Sequence, residues 1–229
     1  MMEQKHIVLD PRLSMIAEMV GRCNACADIG CDHGRLGAFL LQHGWVERMV
    51  LADISDPSLD KARALIRLLG LEARTRFLVC DGADALDTPV DAAVIAGMGG
   101  TTIAGIVERG RARLGNARLI LQANVAQPEL RARLSAAGYA LTDERIVRDG
   151  RRLYVLMEAR PGKSEYDFRE KLVGPVLLKE RPALLRDLAA FYIRVARKAL
   201  AGAEAGNEEQ TARQLRRELE IWEDVERCL

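Results

Sequence analysis

Short apolar runs alternate with amphipathic stretches through the first two thirds of the chain. The runs have the length and composition of buried parallel strands, and they fall at residues 25–29, 49–53, 77–80, 92–96 and 119–122. The stretches between them carry apolar residues at helical spacing, at residues 36–43, 57–69, 101–113 and 128–137. Strands that alternate with helices predict an α/β fold with a doubly wound, mostly parallel, Rossmann-like sheet and right-handed crossovers.

The alternation stops after the fifth predicted strand. Residues 139–147 and 153–159 have the pattern of two strands, and the Asp149-Gly150 pair in the short turn between them is typical of a β-hairpin. Residues 160–164 contain proline and glycine and therefore predict a linker. We expect a first domain over residues 1–162 and a second over residues 163–229.

The second domain carries two helical patterns with a break at residues 202–207. In both patterns apolar residues recur at spacings of three and four, which is the seam of a coiled coil. The first seam is Leu185, Leu188, Tyr192, Val195 and Ala199, and the second is Ala212, Leu215, Leu219, Trp222 and Val225. Two seams of similar length joined by a loop with glycine and asparagine predict an antiparallel helical hairpin.

Composition narrows the function classes without choosing among them. The 229 residues are 49% hydrophobic and 29% charged, with a formal net charge of +1, so any RNA contact must come from a local basic face. No apolar run is long enough for a membrane span or an export signal. An odd number of scattered cysteines indicates reduced thiols in the cytoplasm. Cys23-x-x-Cys26 lacks the second ligand pair of a zinc site, which favours buried or incidental thiols, with redox activity as the alternative. The oligomeric state is left open, with a monomer slightly favoured.

One turn carries the strongest indication of chemistry. Residues 27–34 read Ala-Asp-Ile-Gly-Cys-Asp-His-Gly, an apolar strand that ends in acids and glycines just before a helix. Such a turn binds a nucleotide-like ligand in open α/β sheets. The glycines at Gly30, Gly34 and Gly37 do not match the dinucleotide pattern G-x-G-x-x-G. Because carboxylates at Asp28 and Asp32 repel a pyrophosphate but accept hydrogen bonds from an α-ammonium group, the turn fits S-adenosylmethionine better and predicts a methyltransferase.

Acidic residues also end the next two predicted strands. Asp53 ends the second, where a carboxylate can accept hydrogen bonds from ribose hydroxyls. Asp81-Gly82 ends the third, where a carboxylate can receive the amine of an adenine ring. Each acid by itself can also be an ordinary helix cap. The series across three strand ends favours cofactor binding.

The fourth and fifth predicted strands end in residues suited to a methyl acceptor. Residues 96–101 read Ala-Gly-Met-Gly-Gly-Thr, and the glycines let the backbone approach a flat ligand closely. The alternative is a plain strand-to-helix turn capped by Thr101 or Thr102. Gln122 and Asn124 place two amides beside that turn, where they either read a base edge or bind loop backbone.

Two further residues in these turns have both a chemical and a structural interpretation. His33 is a candidate general base or stacking surface, although a histidine in such a turn is more often structural. Met98 is a candidate for shaping the pocket near the sulfonium, although methionine more often fills the core.

Four motifs in order resemble those of the bacterial tRNA (adenine(22)-N(1))-methyltransferase family. They are Asp-Ile-Gly-Cys-Asp-His at 28–33, Ala-Gly-Met-Gly-Gly at 96–100, Leu-Ile-Leu-Gln-Ala-Asn at 119–124 and Leu-Val-Gly-Pro at 172–175. The resemblance runs from Arg12 to the C-terminal hairpin and implies a class I methyltransferase domain followed by a small coiled-coil domain. Two positions depart from the family: Ala123 stands where many members have proline, and Arg35 stands where an aromatic residue is common in some members.

The resemblance also implies site residues. The S-adenosylmethionine site would be lined by Gly30, Asp32, His33, Asp53, Asp81 and Gly82, and the adenine pocket would be bordered by Met98, Gly99, Gly100 and Asn124. With the strand-end argument added, the predicted cofactor-binding residues are Asp28, Gly30, Asp32, His33, Gly34, Asp53, Ile54, Asp81, Gly82, Ala96, Gly97, Met98 and Gly99. The predicted catalytic residues are Asp32, Met98 and Asn124.

The predicted function is transfer of the methyl group of S-adenosylmethionine to N1 of an adenine in tRNA, with position 22 implied by the resemblance. One alternative is a methyltransferase that uses the same cofactor on another RNA position, on protein or on a small molecule. Another is a tRNA-binding or assembly protein that senses the cofactor without turnover. Phosphate contacts are predicted at Arg12, Arg35, Arg109, Arg111 and Arg113 in the sheet domain and at Arg186, Arg194, Arg197, Lys198, Arg213, Arg216 and Arg217 in the hairpin. A solvated face interleaved with glutamates explains the hairpin charges equally well.

Overall fold

The computed structural model describes residues 6–229, which form two compact units. The first unit ends at Glu165 and the second comprises Tyr166–Leu229. The sequence places the boundary after residue 162, within the same connecting segment.

A seven-stranded sheet in the order β3-β2-β1-β4-β5-β7-β6 forms the centre of the first unit. The strands are β1 (Cys23–Ile29), β2 (Val46–Asp53), β3 (Thr75–Val79), β4 (Ala92–Gly99), β5 (Arg118–Val125), β6 (Tyr139–Asp149) and β7 (Arg152–Pro161). The first five strands are parallel, and β7 runs antiparallel to both of its neighbours. The predicted doubly wound sheet and its terminal hairpin are thereby confirmed. Because the strand order reverses between β1 and β4, the carboxyl ends of these strands flank the crevice where such sheets bind ligands.

The helices of this unit include one that the alternation of patterns does not predict. They are α1 (Pro11–Val20), α2 (Arg35–Gln42), α3 (Asp56–Leu68), α4 (Gly100–Leu114) and α5 (Gln127–Ala136), with a 3-10 turn at Glu72–Arg74. Helix α1 begins because the Asp10 carboxylate accepts a hydrogen bond from the Leu13 N–H at 2.7 Å and Pro11 occupies the first turn. Its Ile16 and Val20 are fully buried, so this short helix is part of the core.

The end of β4 differs from its prediction. The strand continues to Gly99 because Met98 and Gly99 still pair with β5, opposite Ala123 and Val125. Helix α4 therefore begins directly at Gly100, and its N-terminus has no side-chain cap, so the alternative in which Thr101 or Thr102 caps it is wrong. Strand β7 likewise extends through Pro161 into the predicted linker.

The second unit contains α6 (Phe168–Val173), α7 (Pro175–Glu180), α8 (Leu184–Ala205) and α9 (Glu209–Arg227). Helices α8 and α9 form the predicted antiparallel hairpin. The Tyr192 and Trp222 rings stack with centroids 4.8 Å apart, and an ion pair of 2.7 Å joins Arg216 to Glu204 nearer the loop. The two unpredicted helices are short, and α6 begins with a capping box between Asp167 and Glu170.

The predicted seam of α8 is right in its first half and wrong in its second. Leu185 and Leu188 are buried, but Val195 is 47% exposed and Ala199 is also exposed. Ile193, Ala196 and Ala203 are buried instead. The apolar pair at positions 192 and 193 allows the pattern to continue in either of two registers. The seam predicted for α9 is confirmed at Ala212, Trp222 and Val225, which are buried.

Across residues 6–229, no helix is long and apolar enough to cross a membrane. The same residues contain no group of three or more histidines, cysteines or acids placed to hold a metal ion. All five cysteines are free thiols.

Candidate active site

A cavity of about 760 Å³ opens at the carboxyl ends of β1, β2 and β4. Eleven of the predicted cofactor-binding residues line it: Asp28, Gly30, Asp32, His33, Asp53, Ile54, Asp81, Gly82, Ala96, Gly97 and Met98. The remaining two, Gly34 and Gly99, do not. The cavity lies at the point where the strand order reverses, so the predicted residues converge where the topology places a ligand site.

The turn after β1 is held in a conformation that constrains its residues. Gly30, Asp32 and Gly34 all have positive φ angles, of 77°, 50° and 67°. Aspartate tolerates the left-handed region better than most residues. Gly34 faces away from the cavity, and a Cβ there would lie 2.9 Å from the Cβ of Ala62 on α3. Gly34 therefore allows α2 to pack closely on α3, and its cofactor-binding role stays a prediction.

Asp53 connects the ends of β1 and β2. One carboxylate oxygen accepts a hydrogen bond from the Asp32 N–H at 3.1 Å, and the other accepts one from the Ser55 N–H at 2.8 Å. Since each carboxylate oxygen can accept a second hydrogen bond, Asp53 retains acceptor capacity toward the cavity. The exposed Ile54 side chain beside it provides an apolar surface at the same rim.

Asp28 is the buried carboxyl of the site, only 6% exposed at the end of β1. Burial, reinforced by the negative charge of Asp53 and opposed by the Arg12 guanidinium, raises the pKa of Asp28 from 3.8 to about 7. The cavity therefore contains a carboxyl group that changes charge near neutral pH, which favours a cationic group beside it.

This pKa predicts a pH dependence of stability. Between about pH 4 and pH 7, folded Asp28 retains a proton that the unfolded chain has lost, so its contribution to the free energy of unfolding falls as pH rises through that window. The variant Asp28→Asn cannot titrate there. We expect the stability of the wild type relative to Asp28→Asn to fall between pH 4.5 and pH 7.5 in urea unfolding without added cofactor. Parallel pH profiles of the two proteins would contradict the raised pKa.

Two further carboxylates at the rim of the cavity, Asp32 and Asp81, each lie close to a basic side chain. Asp32 lies 2.6 Å from Nδ1 of His33, and both side chains are exposed. Asp81 pairs with Arg109 at 3.0 Å. Arg109, predicted to contact phosphate, is thus engaged with a predicted cofactor residue. Arg111, two residues further along α4, donates to the Gly115 carbonyl at 2.9 Å and lies over the Tyr139 ring.

The end of β4 forms the opposite wall of the cavity. A Cβ on Gly30 would lie 2.1 Å from Cε of Met98, so the methionine packs directly against the first turn. Asn124 does not line the cavity: its Nδ2 donates to the Gly97 carbonyl at 2.8 Å. Its predicted catalytic role stays a prediction, as do those of Asp32 and Met98.

The sequence patterns missed the segment before and within α1 as part of the site, although Arg12 is among the predicted phosphate contacts. Asp10, Arg12 and Leu13 line the cavity. Arg12 donates to Oε1 of Gln122 at 3.0 Å and lies over the Tyr154 ring, while Arg35 donates to the Val8 carbonyl at 2.6 Å. The Asp10-Pro11 pair is a recognisable helix start, but nothing in it indicates that the helix reaches the sheet crevice. The other lining residues not predicted for the site are Ile29, Cys31, Leu36, Cys80, Val94, Thr102 and Ile106.

The geometry agrees with the comparisons to known proteins. A family model described as a methyltransferase domain matches residues 9–157. The tRNA (adenine(22)-N(1))-methyltransferase of Bacillus subtilis is 33% identical over 184 residues, which cover 77% of this chain and 77% of that protein. The chain belongs to the tRNA (adenine(22)-N(1))-methyltransferase family. The matched model begins before α1 and ends in β7, so it includes every strand end that lines the cavity.

Solved structures of the family extend the likeness over nearly the whole chain. The crystal structure of the B. subtilis M1A22 tRNA methyltransferase TrmK is 27% identical, with a TM-score of 0.87, and covers 96% of this chain and 100% of that one. Streptococcus pneumoniae Sp1610 in complex with S-adenosyl-L-methionine is 26% identical, with a TM-score of 0.81, and covers 94% of this chain and 98% of that one.

Proposed function

We propose that this protein transfers the methyl group of S-adenosylmethionine to N1 of the adenine at position 22 of tRNA. The observation that supports this proposal most strongly is the cavity at the point where the strand order of the sheet reverses. The chain belongs to a family named for this reaction. Because the proposed substrate is tRNA, we also propose that the protein is located in the cytoplasm.

The residues present suit S-adenosylmethionine. Asp28 and Asp32 can face its α-ammonium group, and the raised pKa of Asp28 means that a cation there would convert the carboxyl to its charged form. Asp53 retains acceptor capacity for ribose hydroxyls. Because Gly30 has no side chain, Met98 can pack against the first turn, where a Cβ would lie 2.1 Å from its Cε. Asp81 and Ile54 complete the rim on the side where an adenine ring would lie.

The proposed methyl transfer does not require a general acid or a general base. S-adenosylmethionine supplies a methyl group that its sulfonium already activates, and adenine N1 has no proton to remove. The protein therefore has to hold the base in line with the methyl group and exclude alternative positions. Because the methylated adenine is cationic, the Asp32 carboxylate can stabilise the charge that develops as the bond forms. His33, 2.6 Å from Asp32, orients this carboxylate.

Asp53 provides a test of the cofactor side. Asp53→Ala should weaken S-adenosylmethionine binding by about 1.5–3 kcal/mol, the range for lost hydrogen bonds to a charged group, as measured by calorimetry. Glu47→Ala is the matched control, since Glu47 is exposed on the same strand away from the cavity. Wild-type cofactor affinity in Asp53→Ala would remove Asp53 from the site.

The hairpin offers fewer unpaired cations for tRNA than the sequence indicates. Arg197 pairs with Glu223 at 2.7 Å, Arg213 with Glu209 at 3.2 Å and Arg216 with Glu204 at 2.7 Å. Arg217 lies over the Phe168 ring. Among the described residues, Arg186, Arg194 and Lys198 make no ion pair, so they are the hairpin cations best placed to contact phosphates.

Removing two of these cations tests whether the hairpin contacts tRNA. The double variant Arg194→Ala/Lys198→Ala should weaken tRNA binding and reduce the slope of log affinity against log salt by about 2, because two fewer phosphates are neutralised. Arg213→Ala, which removes an already paired charge, should change both much less. Titrations at several salt concentrations decide, and an unchanged slope in the double variant would make this face a solvated surface.

The experiment that tests the proposed activity measures S-adenosylhomocysteine formed from S-adenosylmethionine with and without unmodified tRNA. We expect formation that requires tRNA and is lost when adenine 22 is replaced by guanine. Cofactor binding without turnover would instead support a sensing protein. Equal turnover on the guanine-22 transcript would move the target to another position.

A further inference from the structure

We propose that Gln122, oriented by Arg12, is a positioning residue for the methyl-acceptor side of the site. It holds a bulge in β4 at Gly97 and sets the direction of the Asn124 amide. The inference deepens the proposed function and rests on it for its kinetic consequence, but the geometry stands on contacts within the sheet.

The bulge is visible in the pairing of β4 with β5. Ala96 lies opposite Gln122 and Met98 lies opposite Ala123, so Gly97 is an extra residue with no partner on β5. An extra residue leaves its own peptide groups outside the ladder. Its φ of +80° suits glycine and few other residues.

Both unpaired groups of Gly97 are satisfied by side-chain amides. Its N–H donates to Oε1 of Gln122 at 3.2 Å, and its carbonyl accepts from Nδ2 of Asn124 at 2.8 Å. Gln122 is completely buried. Gly97 itself is exposed, but a buried polar side chain without a partner is costly, so the buried Gln122 amide favours the bulged geometry that supplies it with the Gly97 N–H.

Arg12 fixes which way the amides point. A guanidinium can only donate, so the Gln122 atom 3.0 Å from Nη1 of Arg12 must be the carbonyl oxygen. The amide nitrogen of Gln122 then faces Oδ1 of Asn124 at 3.0 Å. Asn124 is therefore turned so that its NH2 group points to Gly97. The orientation of both amides is therefore determined by Arg12 on α1. It does not depend on an arbitrary assignment of the amide oxygen and nitrogen atoms.

The bulge determines where Met98 lies. Met98 follows Gly97 directly, and its Cε fills the space beside Gly30. The cofactor carboxylates Asp28, Asp53 and Asp81 come from the ends of β1, β2 and β3 and do not bond to Gln122. Loss of the Gln122 contacts should therefore disturb the acceptor wall more than the carboxylate side of the cofactor site, and should lower kcat by a larger factor than it weakens cofactor binding.

Two variants separate the contacts of Gln122. Gln122→Glu keeps oxygen acceptors for Arg12 and the Gly97 N–H but cannot donate to Asn124 when ionised. Gln122→Met removes all three contacts at similar size. Asn116→Asp, exposed just before β5, is the control for an added charge.

In Gln122→Glu we expect kcat for tRNA methylation to fall about 10- to 100-fold, the range for a misplaced reacting group. The S-adenosylmethionine Kd should change by a smaller factor than kcat, and Asn116→Asp should match wild type. In an Asn124→Ala background the same change should cost much less, because its effect passes through Asn124. Wild-type kcat in Gln122→Glu, or an equal loss in both backgrounds, would overturn the proposal.

A measurement without substrate distinguishes failure of this inference from failure of the proposed function. Hydrogen exchange at the Gly97 amide should be slow in the wild type and in Gln122→Glu, and fast in Gln122→Met, at conditions where all three are folded. Fast exchange in the wild type, or slow exchange in Gln122→Met, would refute the role of Gln122 at the bulge whatever reaction the protein catalyses.

Discussion

Replacement of Gly100 by alanine is expected to destabilise the protein by about 3 kcal/mol or more and to abolish methyl transfer. A Cβ at Gly100 would lie 2.1 Å from the Ala126 carbonyl oxygen and 3.0 Å from that of Val125, and both are backbone atoms that cannot rotate away. The first turn of α4 and the β5–α5 turn would have to separate. Since α4 follows directly from β4, the separation would displace the acceptor wall. Urea unfolding and activity assays measure the two effects.

Gly105→Ala is the matched control on the same helix. Its nearest neighbour is the flexible end of Arg109, at 3.5 Å, so the methyl group fits and the gain in helix propensity should stabilise the protein by up to about 1 kcal/mol. We expect the free energy of unfolding to fall in Gly100→Ala and to rise in Gly105→Ala. Wild-type stability in Gly100→Ala would contradict the close approach of α4 to the β5–α5 turn.

Asp32→Asn is expected to lower kcat/KM for tRNA methylation about 100-fold or more, the size of effect seen when one preorganised electrostatic group is removed. Asparagine is a better replacement than alanine because residue 32 has a φ of +50°, which asparagine tolerates. The backbone N–H that binds Asp53 is retained. The loss would therefore report the missing charge and not a rearranged turn.

Asp60→Asn is the control for Asp32→Asn, since Asp60 makes only an exposed pair with Arg63 on α3 and such pairs contribute little. Steady-state kinetics should show wild-type turnover in the control. Near-normal kcat/KM in Asp32→Asn, with an unchanged circular dichroism spectrum in both variants, would remove Asp32 from the catalytic residues.

The strand ends that line the cavity at Asp28, Asp53 and Asp81 could be predicted from the sequence because their determinants are local. Asp28, Asp53 and Asp81 each end an apolar run, and parallel strands bring their carboxyl ends to one edge. Gly30 and Asp32 mark the turn by residue types that tolerate positive φ. Strand, turn and acid therefore occur together within each short stretch, and no long-range information is needed.

The acceptor side could not be predicted in the same way because its determinants are far apart in the chain. The contact between Arg12 and Gln122 joins α1 to β5, and no local pattern relates them. Asn124 has two possible amide directions until that contact is known. The buried ion pair of 2.8 Å between Arg131 on α5 and Glu144 on β6 is hidden for the same reason, since each residue alone is typical of a surface.

The most direct test of the proposed methylation of adenine N1 at position 22 of tRNA is the identity of the methylated nucleoside. Unmodified tRNA is incubated with the wild-type protein and S-adenosylmethionine, cut into fragments, and analysed by mass spectrometry against standards for each methylated adenosine. We expect 1-methyladenosine, confined to the fragment that contains adenine 22. Methyl groups found only on N6 of adenine, on another nucleoside, or not at all would contradict it.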